Sequence, residues 1–154
     1  MERFKRTEIA NGVYFNTIFD DRFKTSRILV SMLTDIDKDK CASYTAVSGL
    51  LVHSCREYPS FLKLSRRLDS LYGTTLSGSS GKRGDLQMVN ISATGISDDY
   101  SLDGESVYEE MARLLCGAVF EPNVIDGAFA EEDFRQEQRQ LIDAIDAPLR
   151  QKMR

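Results

Sequence analysis

The run Tyr58-Pro59-Ser60-Phe61-Leu62-Lys63-Leu64-Ser65-Arg66-Arg67-Leu68-Asp69-Ser70-Leu71-Tyr72-Gly73, continued by Thr74-Thr75-Leu76-Ser77-Gly78, changes its hydrophobic period part-way and so decides the fold class. Pro59 pushes Tyr58 out of the helical region, and Ser60 is placed to cap the helix that follows. Phe61, Leu64, Leu68 and Leu71 then recur at i, i+3, i+7 and i+10, with Lys63, Arg66, Arg67 and Asp69 on the other side. This is an amphipathic helix, closed by Gly73. Beyond it, residues 74–78 and 86–94 alternate in period two around Gly81-Lys82-Arg83-Gly84-Asp85, the pattern of a hairpin. In its second strand Leu86, Met88 and Ile91 are expected against the core, the last after a slip in alternation that a bulge absorbs.

Upstream, Asn11-Gly12 signals a turn, and 13–18 continues in β-branched and aromatic residues as a first strand, ended by Phe19-Asp20-Asp21. A second β-rich run covers 27–33, and Phe23-Lys24-Thr25 reads as a short connection between neighbouring antiparallel strands. The charged loop 35–40 leads into a helix over 41–55, with Tyr44, Val47, Leu51 and Val52 on one stripe. Downstream of the hairpin and a polar connection at 98–105, Val107, Met111, Leu114, Leu115 and Ala118 define a third helix, stopped near Glu121-Pro122-Asn123. A fourth runs from about Ala130, with Phe134, Leu141, Ile142 and Ile145 expected on its buried side and Pro148 interrupting its end. The order β-β-α-α-β-β-α-α predicts an α+β domain with a mostly antiparallel sheet and helices packed on one face. No repeat or linker divides residues 1–154, so they read as one domain.

Composition narrows the function classes. A chain of 154 residues with 42% apolar and 29% charged composition buries roughly 68–70% of its unfolded surface, enough for a core without metal or disulfide staples. A net charge of -4, with only the short basic pairs Arg66-Arg67 and Lys82-Arg83, lacks the footprint that nucleic acid demands. No apolar run approaches the ~18 residues of a membrane span. Basic residues at the N-terminus are not followed by an apolar segment, so the expected location is cytoplasmic. Three cysteines, Cys41, Cys55 and Cys116, show no Cys-x-x-Cys spacing and read as reduced structural thiols.

The search for chemistry returns little. Gly78-Ser79-Ser80-Gly81-Lys82 has the wrong residue order and strand flanks for a phosphate loop. His53, Cys55 and Glu57 face apart on a helix, where a metal needs donors converging at about 2 Å. Cys116 sits beside Leu114 and Leu115, a setting in which a thiol is inert packing. Glu109-Glu110 and Glu131-Glu132-Asp133 read as a solvated face or as favourable charges at helix N-termini, not as a catalytic dyad. His53 reads as a helix C-terminal residue whose ring bonds terminal carbonyls, and Gly49 as a mark of close helix-to-sheet packing, at a cost of up to ~1 kcal/mol against alanine.

Five strings stand here in one order: Phe23-Lys24-Thr25, Tyr58-Pro59-Ser60, Leu68-Asp69-Ser70-Leu71-Tyr72-Gly73-Thr74, Lys82-Arg83-Gly84-Asp85 and Phe134-Arg135-Gln136-Glu137. Together they resemble the insulinase/pitrilysin family of inverted-zincin metallopeptidases over nearly the whole chain, most of all a bacterial branch of non-catalytic members. In that family His-x-x-Glu-His on the helix placed here at 41–55 supplies two zinc ligands and the base, and a later helix supplies a ligand glutamate. An ungapped match sets Thr45 and Gly49 on the two histidines, Ser48 on the base and Ala144 on the ligand glutamate, while Glu137 matches a glutamate seven residues before that ligand. With a single histidine in the chain, His53, the motif cannot be written anywhere in it. The resemblance therefore implies no catalytic residue, no metal and no cofactor.

What the resemblance implies instead is a wall. Family members carry homologous domains that enclose an extended peptide, so this chain is expected to be the first domain of a longer protein. Its partner would be a catalytic peptidase homologue or further domains of its own chain, with a peptide as possible cargo. Two rival functions remain: a hydrolase using Cys116, His53 or Glu137, and an interaction module unrelated to proteolysis.

Overall fold

In the computed structural model, which describes residues 4–102 and 104–152 and side chains through Ala147, the chain begins with β1 (Phe4–Ala10), β2 (Val13–Ile18), β3 (Thr25–Asp35), α1 (Cys41–Leu50) and α2 (Phe61–Ser70). It continues with β4 (Thr75–Arg83), β5 (Leu86–Ile96), a 3-10 turn (Asp98–Tyr100), α3 (Val107–Phe120), β6 (Val124–Ile125), β7 (Ala128–Phe129) and α4 (Glu131–Lys152).

The organising strand is β5. It lies between β3 and β4 in a three-stranded sheet, antiparallel to both. Gln87, Val89, Ile91 and Ala93 alternate into the interior, and the pairing of β5 with both neighbours runs without a register shift. No bulge is needed at Ile91, and Leu86 and Met88 point to the opposite face from it. The expected slip arose because the first inward residue is polar. Gln87 is buried with its amide donating to Ser80 Oγ at 2.5 Å, and its carbonyl lies 3.4 Å from the Cys41 thiol. A satisfied polar group occupies a core position at little cost. The hairpin turn is also tighter than expected. Arg83 pairs with Leu86, which leaves only Gly84-Asp85 in the loop, and Gly84 supplies the φ of 62° that a two-residue turn requires.

The helices cover one face of this sheet, as the α+β reading requires. Ile91 and Ala93 pack with Leu51, Leu64, Leu71, Val107, Met111, Leu114 and Leu115 into one core. Each buried leucine or methionine side chain contributes about 1.5–3 kcal/mol by leaving water. Ser60 caps α2 by accepting from the Lys63 amide at 3.4 Å, and Tyr72 and Gly73 (φ 55° and 70°) turn the chain off its end. Ser106 caps α3 in the same way, accepting from the Glu109 amide at 3.3 Å.

Four expectations are corrected. Residues 13–18 do not neighbour β3; they pair with β1, a strand not foreseen, in a separate two-stranded sheet whose residues are exposed throughout. The first helix ends at Leu50 instead of 55. Beyond it Val52 and His53 bond back three residues, to Gly49 and Leu50, which tightens the chain into a turn before Cys55 bridges Pro122. On α4 the apolar stripe is exposed: Phe134, Ile142 and Ile145 are 46%, 53% and 67% accessible and Leu141 is half-buried, while Glu137 is buried. Pro148 does not interrupt the helix, which continues to Lys152. The carbonyl four residues before it belongs to Ala144, an exposed residue, so the bond a proline cannot make is not lost from a buried group. Among the described residues no helix is long and apolar enough to cross a membrane.

Candidate functional site

The residues singled out by the resemblance lie on α1 and α4, which pack against each other. On α1, Thr45 Oγ1 donates to the Cys41 carbonyl at 3.1 Å and Ser48 Oγ to the Thr45 carbonyl at 2.7 Å. Both hydroxyls are thus turned back onto their own helix, the local alternative that serine and threonine use when buried in helices. Ser48 is buried. On α4, Ala144 is exposed and carries no donor.

Gly49 is where the two helices meet. A β-carbon built there would overlap the carboxylate of Glu137, with Oε2 only 2.5 Å away. The close approach expected of Gly49 is therefore real, and the space its missing side chain leaves is filled from α4. The helix-to-sheet approach belongs to Gly78 on β4, whose β-carbon would overlap the backbone carbonyl of Ser48. Glu137 itself is only 7% accessible.

His53 closes the same space from the turn after α1. Its Nε2 stands 4.0 Å from Glu137 Oε2, too long for a hydrogen bond and within ion-pair range when the ring is protonated. Its ring centroid lies 5.5 Å from that of Phe61 in a tilted arrangement. The ring thus faces the carboxylate of another helix, not the terminal carbonyls of its own. The sequence marked Glu137 and His53 separately; their meeting depends on a glycine at 49 and a non-helical turn at 51–53, which periodicity does not reveal.

Cys116 is also corrected. Although it follows Leu114 and Leu115, which are buried, its thiol is exposed. It lies on α3 and shares no hydrogen bond with His53 or Glu137. Cys55 is the buried thiol, held beside the Pro122 bridge.

A zinc ion does not fit the residues present. Such a site needs three or four nitrogen, sulfur or carboxylate donors converging on one point. Here the two hydroxyls on α1 donate to carbonyls, Gly49 offers no side chain, and His53 and Glu137 are two donors where three or four are needed. Among the described residues no three histidine, cysteine, aspartate or glutamate side chains gather, and no buried side-chain nitrogen or oxygen is left without a partner for an ion to complete.

The strongest charge arrangement lies elsewhere, joining α2 to α3. Glu110 accepts from Arg113 at 3.0 and 3.2 Å and from Arg67 at 2.5 Å, and Arg113 also pairs with Glu57. The two guanidiniums, Arg113 first, hold the Glu110 carboxyl down to about 2 from an ordinary 4.5. The four groups pair with one another, and Arg67 also lies 3.6 Å from Glu105, which makes this a structural brace.

No known protein-family profile matches the chain. A relative from Bacillus subtilis (strain 168), named "Probable inactive metalloprotease YmfF", is 27% identical over 143 residues, 93% of this chain and 34% of that protein. A solved structure, described as a conserved protein from Enterococcus faecalis V583, superposes with a TM-score of 0.88 at 29% identity, covering 95% of this chain and 34% of that one. The chain is similar to a metallopeptidase-like protein regarded as inactive, and it spans about a third of the length of each of these two proteins.

Proposed function

We propose that this chain is a peptidase-like domain of the insulinase/pitrilysin type that does not cut, and that it forms part of the wall of a peptide-enclosing chamber with a zinc-containing catalytic homologue. The observation that supports the reading is the volume at Gly49, the position that the resemblance sets on a zinc-binding histidine, which is filled by the Glu137 carboxylate. The likeness to a relative named as an inactive metalloprotease supports it.

A wall domain also needs a surface for an extended peptide. β3 and β4 are the two edges of the sheet, each with a row of backbone groups open to pairing. A peptide added to such an edge is held by main-chain hydrogen bonds and selected by alternate side-chain positions. Mixing the protein with a catalytic homologue from the same organism should give a complex by size exclusion and alter peptide turnover. If neither occurs, the chamber role is wrong.

A further inference from the structure

The contact between α1 and α4 has an unusual composition. α4 lays exposed Phe134, Ile142 and Ile145 toward solvent and buries Glu137, the reverse of what an amphipathic helix does. A charged side chain is rarely buried unless it is paired, and burying it alone is costly. Here the carboxylate is received in two ways. The missing side chain at Gly49 leaves a notch that the carboxylate fills, and His53 Nε2 lies 4.0 Å from Oε2. The Phe61 ring lies tilted against the His53 ring and restricts where it can turn.

From this geometry we propose that Gly49, His53 and Glu137 form a metal-independent clasp that docks α4 on α1. Gly49 contributes space, Glu137 the inserted group and His53 the facing ring. No bound ion takes part. The clasp makes Gly49 a positioning residue: its role is to have no side chain. The carboxylate is the mobile end of a long side chain, so a β-carbon at 49 expels it from the notch and leaves the rest of α1 in place.

Hydrogen exchange on the full chain, read separately over α4 and over β5, tests the clasp. Gly49→Ala should speed exchange in α4 by about tenfold while β5 keeps its protection, because only the docked helix opens. Glu137→Ala should do the same. Adding Gly49→Ala to Glu137→Ala should then change α4 by less than about twofold, since the expelled group is already gone. Wild-type α4 exchange should be equal with excess EDTA and with added zinc. The proposal is overturned if Gly49→Ala leaves α4 unchanged, if it costs as much with alanine at 137 as with glutamate, or if EDTA alone loosens α4. Should Gly49→Ala unfold β5 as well, Glu137→Ala decides: it empties the notch without adding a group at 49, and unchanged α4 exchange in that variant contradicts the clasp.

Discussion

Gly78 of β4 faces the backbone carbonyl of Ser48 on α1 so closely that a β-carbon at 78 would come within 2.6 Å of the carbonyl carbon. This contact sets the distance of α1 from the sheet, and both partners are backbone, so neither can swing aside. Gly78→Ala should therefore destabilise the fold by about 1–3 kcal/mol, the usual range for overpacking. The loss of chain entropy in the unfolded state, worth about 0.4–1 kcal/mol in the other direction, is too small to offset it. Urea denaturation reads the result. An unchanged midpoint would mean that α1 does not rest on β4 as described.

The brace between α2 and α3 makes a pH prediction. Glu110 is depressed in the folded state, to about 2, and returns to its ordinary value near 4.5 when unfolded. Its contribution is therefore complete above about pH 4.5 and is lost as pH falls toward 2. The carboxylate is 26% accessible, so solvent screening limits its worth to about 1 kcal/mol. Glu110→Gln should lower the melting temperature at neutral pH by a few degrees and remove part of the acid-induced decline. Equal slopes for the two proteins between pH 5 and pH 2 would contradict the brace.

Thiol accessibility separates the cysteines. Cys116 is exposed and Cys55 is buried. A thiol reagent applied to the native protein should modify Cys116 within minutes and Cys55 only on unfolding, with peptide mapping to assign the sites. Cys116→Ser should remove the fastest-reacting site, leaving the half-buried Cys41 to react more slowly, without altering stability by more than about 0.5 kcal/mol, as for most surface substitutions. Rapid modification of Cys55 would show that the Pro122 bridge opens readily.

The caps offer a smaller test. Ser60→Ala removes the acceptor for the Lys63 amide and should cost about 1 kcal/mol. Chemical denaturation measures it, and Ser60→Asp should recover the loss.

The parts of the fold legible in the sequence were those governed by local rules. Ser60, Leu64, Leu71 and Gly73 announce α2 because capping, period and left-handed termination act within a few residues. Val107, Met111, Leu114, Leu115 and Ala118 give α3 for the same reason, and all five are buried. β5 was misread where a polar residue faces inward, since alternation treats Gln87 as outward. β1 was not foreseen, and the apolar stripe of α4 was misread for a different reason. Phe134, Ile142 and Ile145 are apolar yet exposed, and a pattern method assigns every apolar stripe to a core within the same chain.

The site was legible only as a set of absences. A single histidine excludes His-x-x-Glu-His by counting, and the resemblance places Thr45, Ser48, Gly49 and Ala144 where ligands and base would be. That Glu137 enters the space at Gly49 is a contact between residues distant in sequence. Nothing in the period or composition of either helix encodes it, because the packing of α4 on α1 fixes the approach.

Zinc stoichiometry tests the central claim most directly. The protein, equilibrated with micromolar zinc, passed through a desalting column and analysed for metal, should retain far less than one zinc per molecule, because among the described residues no set of converging donors exists to supply the ~10–16 kcal/mol typical of structural sites. One tightly held zinc per chain, removed by EDTA and accompanied by a changed environment at His53 and Glu137, would contradict the account.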